Sequence, residues 1–283
     1  MTLRALLSLL AMMGLSGLAG VQEQATLVER YDFAKRAMRR DLPGRLDEVS
    51  GLAFTADGRL FAHGDERAWI HEIDPETGEV GKRFMFGERT ARDDFEGIAI
   101  VGERFFLISS GGLLYEGREV GDREDTPYRV TDTGLGQTCE VEGLEYHPEW
   151  DELLIPCKST TLDLDAIVIH RVPLSPDTPR PPPILVERAA VALHGVDRDF
   201  HPSGIALDPN TGTLVLIAAR EQSLLEISAD GRVISALRLS RRRHPQAEGV
   251  AFGPDGTFYL ADESNGRDAR LTAYQRIEGL APR

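Results

Sequence analysis

The chain has 283 residues, with 28% charged and 41% hydrophobic residues and a formal charge of −14. Those proportions describe a globular protein and are too apolar for a disordered one. The acidic balance argues against a nucleic-acid binder, which needs a basic surface to displace counterions, and against a polybasic membrane-surface protein.

The chain opens on MTLRALLSLLAMMGLSGLAG. One positive charge (Arg4) precedes an apolar run from Ala5, and small residues follow at Gly17, Ala19 and Gly20. This is the pattern of a secretory signal peptide, residues 1–19, with cleavage after Ala19. The apolar run is short for a membrane span, which needs about 20 residues, so an uncleaved anchor is the minor alternative. The mature chain, 20–283, then has no transmembrane segment. Loss of Arg4 leaves 31 basic against 46 acidic residues, a charge of −15. The expected location is periplasmic or secreted, at the cell envelope, where disulfides persist.

A short pattern recurs along the rest of the chain: DEVSGLAF at 47–54, DDFEGIAI at 93–100, EVEGLEY at 140–146, HPSGIAL at 201–207 and QAEGVAF at 246–252. Its glycines, 51, 97, 143, 204 and 249, are spaced by 46, 46, 61 and 45 residues. After each motif comes a turn of Asp-Gly or Asn-Thr-Gly type or a similar polar loop, then a second apolar strand such as LFAHG, RFFLISS or TLVLIAA. Third strands follow (WIHEID, LLYEGR, AIVIHRV, LLEIS, LTAYQRI), and fourth strands in VGKRFMFG, ILVERAAVAL and RVISALRLS. A period of about 45 residues with four strands each predicts an all-β fold, a β-propeller of four-stranded blades. The direct count is five blades. A sixth has room only in the long third repeat, where the proline-rich 173–183 reads as an inserted loop, because successive prolines cannot continue a ladder. The last repeat lacks a fourth strand, and ATLVERYDFAK (Ala25–Lys35) is expected to supply it and close the ring. Residues 20–283 thus read as one propeller domain and as a monomer.

Cys139 and Cys157 are the only cysteines and fall on one hairpin. Export favours a bridge, but the expected register offsets them by about four residues, which is awkward for disulfide geometry, so both states stay open.

On the motifs DEVSGLAF, DDFEGIAI, TCEVEGLEY and HPQAEGVAFGPDGTFYLADE, the chain resembles the SdiA-regulated (YjiK-like) family of exported bacterial proteins, over roughly residues 25–275. It is more distantly similar to calcium-dependent propellers, the esterase-like phytases and gluconolactonase-type enzymes, in which a Glu-Gly motif supplies a metal ligand. The resemblance implies an envelope β-propeller without a settled activity. Two features depart from it: serine replaces the motif carboxylate at Ser50 and Ser203, and the third repeat is long.

Inner strands line a propeller channel, so the motif residues Ser50, Glu96, Glu142, Ser203 and Glu248 should ring one mouth. Two residues earlier, Glu48, Asp94, Glu140, His201 and Gln246 should share their side, given a two-residue period. Six carboxylates in one space need raised pKa values or a cation. An oxygen-rich set of this kind suits Ca2+, with Glu96, Glu142, Glu248, Glu48, Asp94 and Glu140 as candidate ligands. The competing reading is structural: the glycine permits close packing and the glutamate staples neighbouring blades. The second-strand ends add His63, Asp65, Lys158, Arg220, Glu221, Asp262 and Glu263, and Arg241, Arg242 and Arg243 precede Glu248. Of these, Arg241, Arg242, Arg243, Lys158, Arg220, Asp65 and Glu263 are the candidates to hold a small polar or anionic ligand. The competing reading of the arginine run is a solvated basic loop. His201 and His244 are the best-placed catalytic bases, with His63 third. His71, His147, His170 and His194 read as structural.

No G-x-S-x-G elbow, P-loop, dinucleotide fingerprint, H-E-x-x-H or C-x-x-C is present. Two functions therefore compete: an envelope propeller that binds a small polar or anionic ligand, with Ca2+, and a Ca2+-dependent hydrolase of a lactone or phosphoester.

Overall fold

The computed structural model describes residues 24–35 and 37–277, and the expected signal segment 1–19 lies outside them. The strands form five sheets. Blade 1 runs through Val49–Phe54, Leu60–Gly64, Trp69–Ile73 and Val80–Phe86, with a short parallel addition at Asp125–Thr126. Blade 2 comprises Phe95–Val101, Arg104–Ser109, Leu113–Arg118 and Arg129–Asp132. In blade 3 the inner strand is split into Cys139–Val141 and Glu145–His147, both paired with Glu152–Thr160, and Ala166–Pro173 and Ile184–Glu187 follow. Blade 4 is Gly204–Leu207, Leu214–Ala218, Ser223–Ile227 and Val233–Arg238. Blade 5 is Ala247–Phe252, Phe258–Asp262 and Arg270–Tyr274, with Met38–Asp41 as its outer strand. The fold is therefore a five-bladed β-propeller rather than a six-bladed one.

Each inner strand packs against the inner strands of both neighbouring blades, all the way round. Apolar side chains from facing blades fill five buried clusters, each drawn from an adjacent pair of blades. Between blades 1 and 2, Phe105 meets Phe61 and Phe84 edge-on at 5.0 and 5.2 Å, the preferred aromatic geometry. The long third repeat holds the proline-rich stretch outside the ladder, at 174–183, so no sixth blade is needed.

Two expected strands differ. Within Ala25–Lys35, residues Leu27–Arg30 form a helical turn rather than a strand. Thr26 and Glu29 make a capping box, and the turn docks through a buried polar cluster. Arg30 lies 2.8 Å from Glu226 and 3.1 Å from Asp208, and the Leu27 amide donates to Glu226 at 2.6 Å. The outer strand of blade 5 starts later in the chain, in register from Met38 opposite Ala273 to Asp41 opposite Arg270. In ILVERAAVAL only Ile184–Glu187 is a strand, and Arg188–Leu193 turns helical, with its alanines and leucine favouring that state. The tetrapeptide LVER is thus helical at 27–30 but leaves a strand at 185–188, because tertiary context overrides local propensity.

Cys139 and Cys157 form a disulfide with Cα atoms 5.3 Å apart. In the ladder Cys139 faces Thr160, but a bulge between Glu140 and Val141 brings Val141 opposite Cys157. That register shift sets Cys157 opposite a residue two positions from Cys139, a smaller offset than the four or so expected from a regular hairpin.

Candidate functional site at the channel mouth

The inner strands of blades 1, 2 and 5 share a device. Their registers shift between Val49 and Gly51, Phe95 and Gly97, and Ala247 and Gly249. The residue left out of the ladder in each case is the motif position, Ser50, Glu96 or Glu248. A bulge re-aims its extra residue, so the motif carboxylates leave the regular alternation of the strand. In blade 3 the same position, Glu142, lies where the strand breaks before Gly143, whose φ is +118°.

The glycines serve packing, as the structural reading expected. A Cβ on Gly97 would sit 2.5 Å from the Leu144 amide nitrogen, and one on Gly51 would sit 2.5 Å from His63 Nε2. Inner strands this close leave a cavity of only about 10 Å³ on the axis, bounded by Ser50, Glu96, Gly143, Gly204 and Glu248. That is too small for an organic ligand, so only the mouth has room for one.

Two tiers of carboxylates stand there. Glu142 is buried and Glu96 and Glu248 are partly buried, whereas Glu48, Asp94 and Glu140 are exposed. Burial, then the charges of Glu142 and Asp94, push Glu96 up to about 9. Burial, then Glu142 and Glu263, push Glu248 up to about 8. Glu263 rises to about 7 through burial and the charges of Asp65, Glu48 and Glu142. Glu48 is raised chiefly by Asp65 beside it. Lys158 supplies the counter-charge: its ammonium pairs with Glu142 and lies 3.7 Å from Glu140. Glu142 is nevertheless raised, because burial outweighs that pair.

The serines that replace glutamate are inward-bonded. Ser203 Oγ donates to Ala247 O at 2.9 Å and accepts from the Ala219 amide at 3.0 Å, which joins blades 4 and 5. Ser50 donates to Glu48 O at 3.3 Å.

A cavity of about 370 Å³ opens beside the ring, lined by Lys158, His201, Arg220, Arg241, Gln246 and Glu248 among others. His201 is held in it by Glu221, which accepts from the His201 amide at 3.1 Å and bonds Nδ1 at 2.9 Å. Glu221 is itself buried, at 7% side-chain exposure. A carboxylate fixing Nδ1 leaves Nε2 as the imidazole atom available to the cavity.

The other candidates lie elsewhere. His244 is buried, bonded through Nδ1 to Asp262 at 2.8 Å and through Nε2 to Tyr274 at 2.6 Å. Both its nitrogens are occupied, so it braces blade 5 rather than facing the cavity. Arg243 donates to the backbone oxygens of Phe33 and Ala34 and ties the loop to the N-terminal segment. Arg242 and Glu263 line a second groove, beyond Arg241. Asp65 and Glu48 line a third cavity of about 300 Å³, beside blade 1. His63 is wholly buried, pushed down to about 4 by burial, and bonds Gly64 O through Nδ1 at 3.0 Å. The histidines read as structural include His147, stacked 3.7 Å from Trp150, and His71, pushed down to about 3 by burial. Sequence reasoning placed Glu221 among the polar strand ends but missed its role. A Glu twenty residues after His201 is a signal only once the hairpin register is known.

The carboxylates match a hard cation in donor type. Their spacing is open: among the described residues, the one set of three His, Cys, Asp or Glu side chains with ligand atoms within 4.8 Å of one another is Cys139, Cys157 and His170. Two of those are consumed by the disulfide. A Ca2+ on the ring would draw Glu96, Glu142 and Glu248 inward and displace Lys158 from Glu142.

Solved structures share the architecture. Glutaminyl cyclase from Myxococcus xanthus is 16% identical with a TM-score of 0.57, over 86% of this chain and 100% of that one. A luciferin-regenerating enzyme is 10% identical with a TM-score of 0.55, over 86% and 96%. At such identities the likeness extends to the propeller fold. Among the described residues no helix is long and apolar enough to cross a membrane. Residues 187–267, from the end of blade 3 through blade 4 and into blade 5, match the model of the SdiA-regulated family, the family that the sequence motifs resemble.

Proposed function

We propose that the protein is an exported envelope propeller, residues 20–283 after loss of a signal peptide, that binds a small polar or anionic ligand at the channel mouth together with Ca2+. The observation that carries this reading is the juxtaposition of two opposite surfaces. Glu96, Glu142 and Glu248 crowd the axis, where burial first and then the charge of Glu142 raise the pKa values of Glu96 and Glu248. Lys158, Arg220 and Arg241 line the adjoining cavity, into which Glu248 also projects. Buried, crowded carboxylates hold protons because Lys158 alone does not neutralise them, and a divalent cation offsets both burial and repulsion. Glu96, Glu142 and Glu248 would hold the ion, and Ca2+ would supply a positive anchor for the ligand's oxygen atoms. Arg220 and Arg241 orient the ligand's anionic group, and Lys158, released from Glu142, adds a third cation.

A second reading rests on the His201–Glu221 pair. An imidazole fixed by a buried carboxylate, with Nε2 on a cavity, has the arrangement of a general base. It would take a proton from water during hydrolysis of a lactone or phosphoester.

Calorimetric titration of chelator-treated protein with Ca2+ tests the first reading. One ion is expected to bind, with Glu248→Gln weakening it at least about tenfold, the loss of roughly 1.4 kcal/mol. Absence of Ca2+ binding, or an isotherm unchanged in Glu248→Gln, overturns it. Turnover in a lactone and phosphoester panel that disappears in His201→Gln supports the second reading, and turnover that survives that change refutes it.

A further inference from the structure

A groove of about 800 Å³ runs along blade 5 beyond Arg241. Five arginines line it, and they come from three segments. Arg39 lies on the outer strand, Arg241 and Arg242 on the loop entering blade 5, and Arg267 and Arg270 at the start of its third strand. Arg270 is paired with Asp41 at 3.4 Å. Among the described residues the side chains of Arg39, Arg241, Arg242 and Arg267 have neither a hydrogen bond nor an ion pair, and Arg39 Nε is buried without a partner. Four acids also line the groove: Asp41 is the partner of Arg270, Asp268 has no partner among the described residues, and the other two are engaged otherwise. Asp262 bonds His244 and the Gln246 amide, and Glu263 takes the Gln246 side-chain amide. In a chain of charge −14, four unpartnered guanidinium groups in one groove are not a by-product of composition.

We infer that this groove is a second binding site, for a small molecule bearing two or more phosphate groups. A guanidinium fork matches phosphate oxygens bidentately. Each phosphate group carries about −1.5 to −2 at neutral pH, and the four unpartnered arginines, set against the one unpartnered acid, Asp268, leave an excess of cations to meet two such groups. The volume exceeds what one phosphate fills. Arg39, Arg242 and Arg267 do not line the channel-mouth cavity, and Arg241 is the cation common to both. Three of the four unpartnered arginines are therefore separate from the channel-mouth cavity.

The test is calorimetry of the full mature chain, in buffer free of divalent cations, with pyrophosphate, orthophosphate and citrate. Pyrophosphate is expected to bind at least about tenfold more tightly than orthophosphate or citrate. The exposed double variant Arg242→Ser/Arg267→Ser is expected to lose at least about tenfold in pyrophosphate affinity, with an unchanged Tm and an unchanged Ca2+ isotherm. Three results overturn the inference: no pyrophosphate binding, affinity unaffected by the double variant but lost in Arg220→Ser, or citrate binding as tightly as pyrophosphate. Loss of Ca2+ binding in wild type would refute the channel-mouth reading alone and leave the groove untouched.

Discussion

Raising the pH of the metal-free protein from 6 to 9 should destabilise it, and the ring glutamates set the size of the effect. In the folded chain Glu263, Glu248 and Glu96 titrate near 7, 8 and 9, whereas an unfolded glutamate titrates near ~4.3. Between those limits the folded chain binds more protons than the unfolded one, so stability falls as pH rises. The contribution is complete below about pH 4 and disappears as pH passes through about 7, 8 and 9 in turn. Each fully retained proton is worth ~1.4 kcal/mol per pH unit. Water reaches these partly buried groups and screens them, which reduces the combined loss over pH 6–9 to roughly 2–4 kcal/mol. For a chain of this size that corresponds to a fall in Tm of roughly 5–15 °C. The assay is thermal unfolding in chelator across that range, for wild type and Glu248→Gln. The variant should show a shallower fall and a higher Tm than wild type at pH 9. Saturating Ca2+ should restore wild type, by ~2.7 kcal/mol at a hundredfold excess over Kd. Parallel profiles for the two proteins, or a wild-type Tm that rises from pH 6 to 9, would refute the crowded-carboxylate reasoning.

Three further outcomes follow from the packing. Gly97→Ala places a methyl 2.5 Å from the Leu144 amide nitrogen and should cost ~1–3 kcal/mol, while Gly81→Ala, with open space around it, should be near neutral by denaturant titration. Arg30→Met strands Glu226 and Asp208, both buried, and should cost ~3–5 kcal/mol in the same assay. Reductant, which opens the Cys139–Cys157 bridge that ties the strand ending just before Glu142 to the strand carrying Lys158, should weaken Ca2+ binding measured by calorimetry, whereas the same reductant should change nothing in a Cys139→Ser/Cys157→Ser double variant.

The sequence displayed the repeat because each blade needs the same glycine against the axis, and that requirement is local. Blade number and most strands followed. The failures arose where tertiary contacts decide. LVER reads as a strand in both its occurrences, yet at 27–30 the buried Arg30–Glu226 contact holds it helical. Of the candidate site residues, the ring glutamates were legible through the motif. The bulges that aim them were not, since a bulge leaves no periodic trace in sequence. His201 was visible as a residue type, but its partner Glu221 depends on hairpin register. His244 and Arg243 stand beside the site in sequence but turn into blade 5 and the N-terminal segment, because each finds buried or backbone acceptors there.

The most direct measurement of the central claim is a crystal structure of the mature protein grown with Ca2+, with anomalous scattering recorded at the channel mouth. An ion held by Glu96, Glu142 and Glu248 is expected, with Lys158 no longer paired to Glu142. A mouth without anomalous density, with the Lys158–Glu142 pair intact, would contradict it.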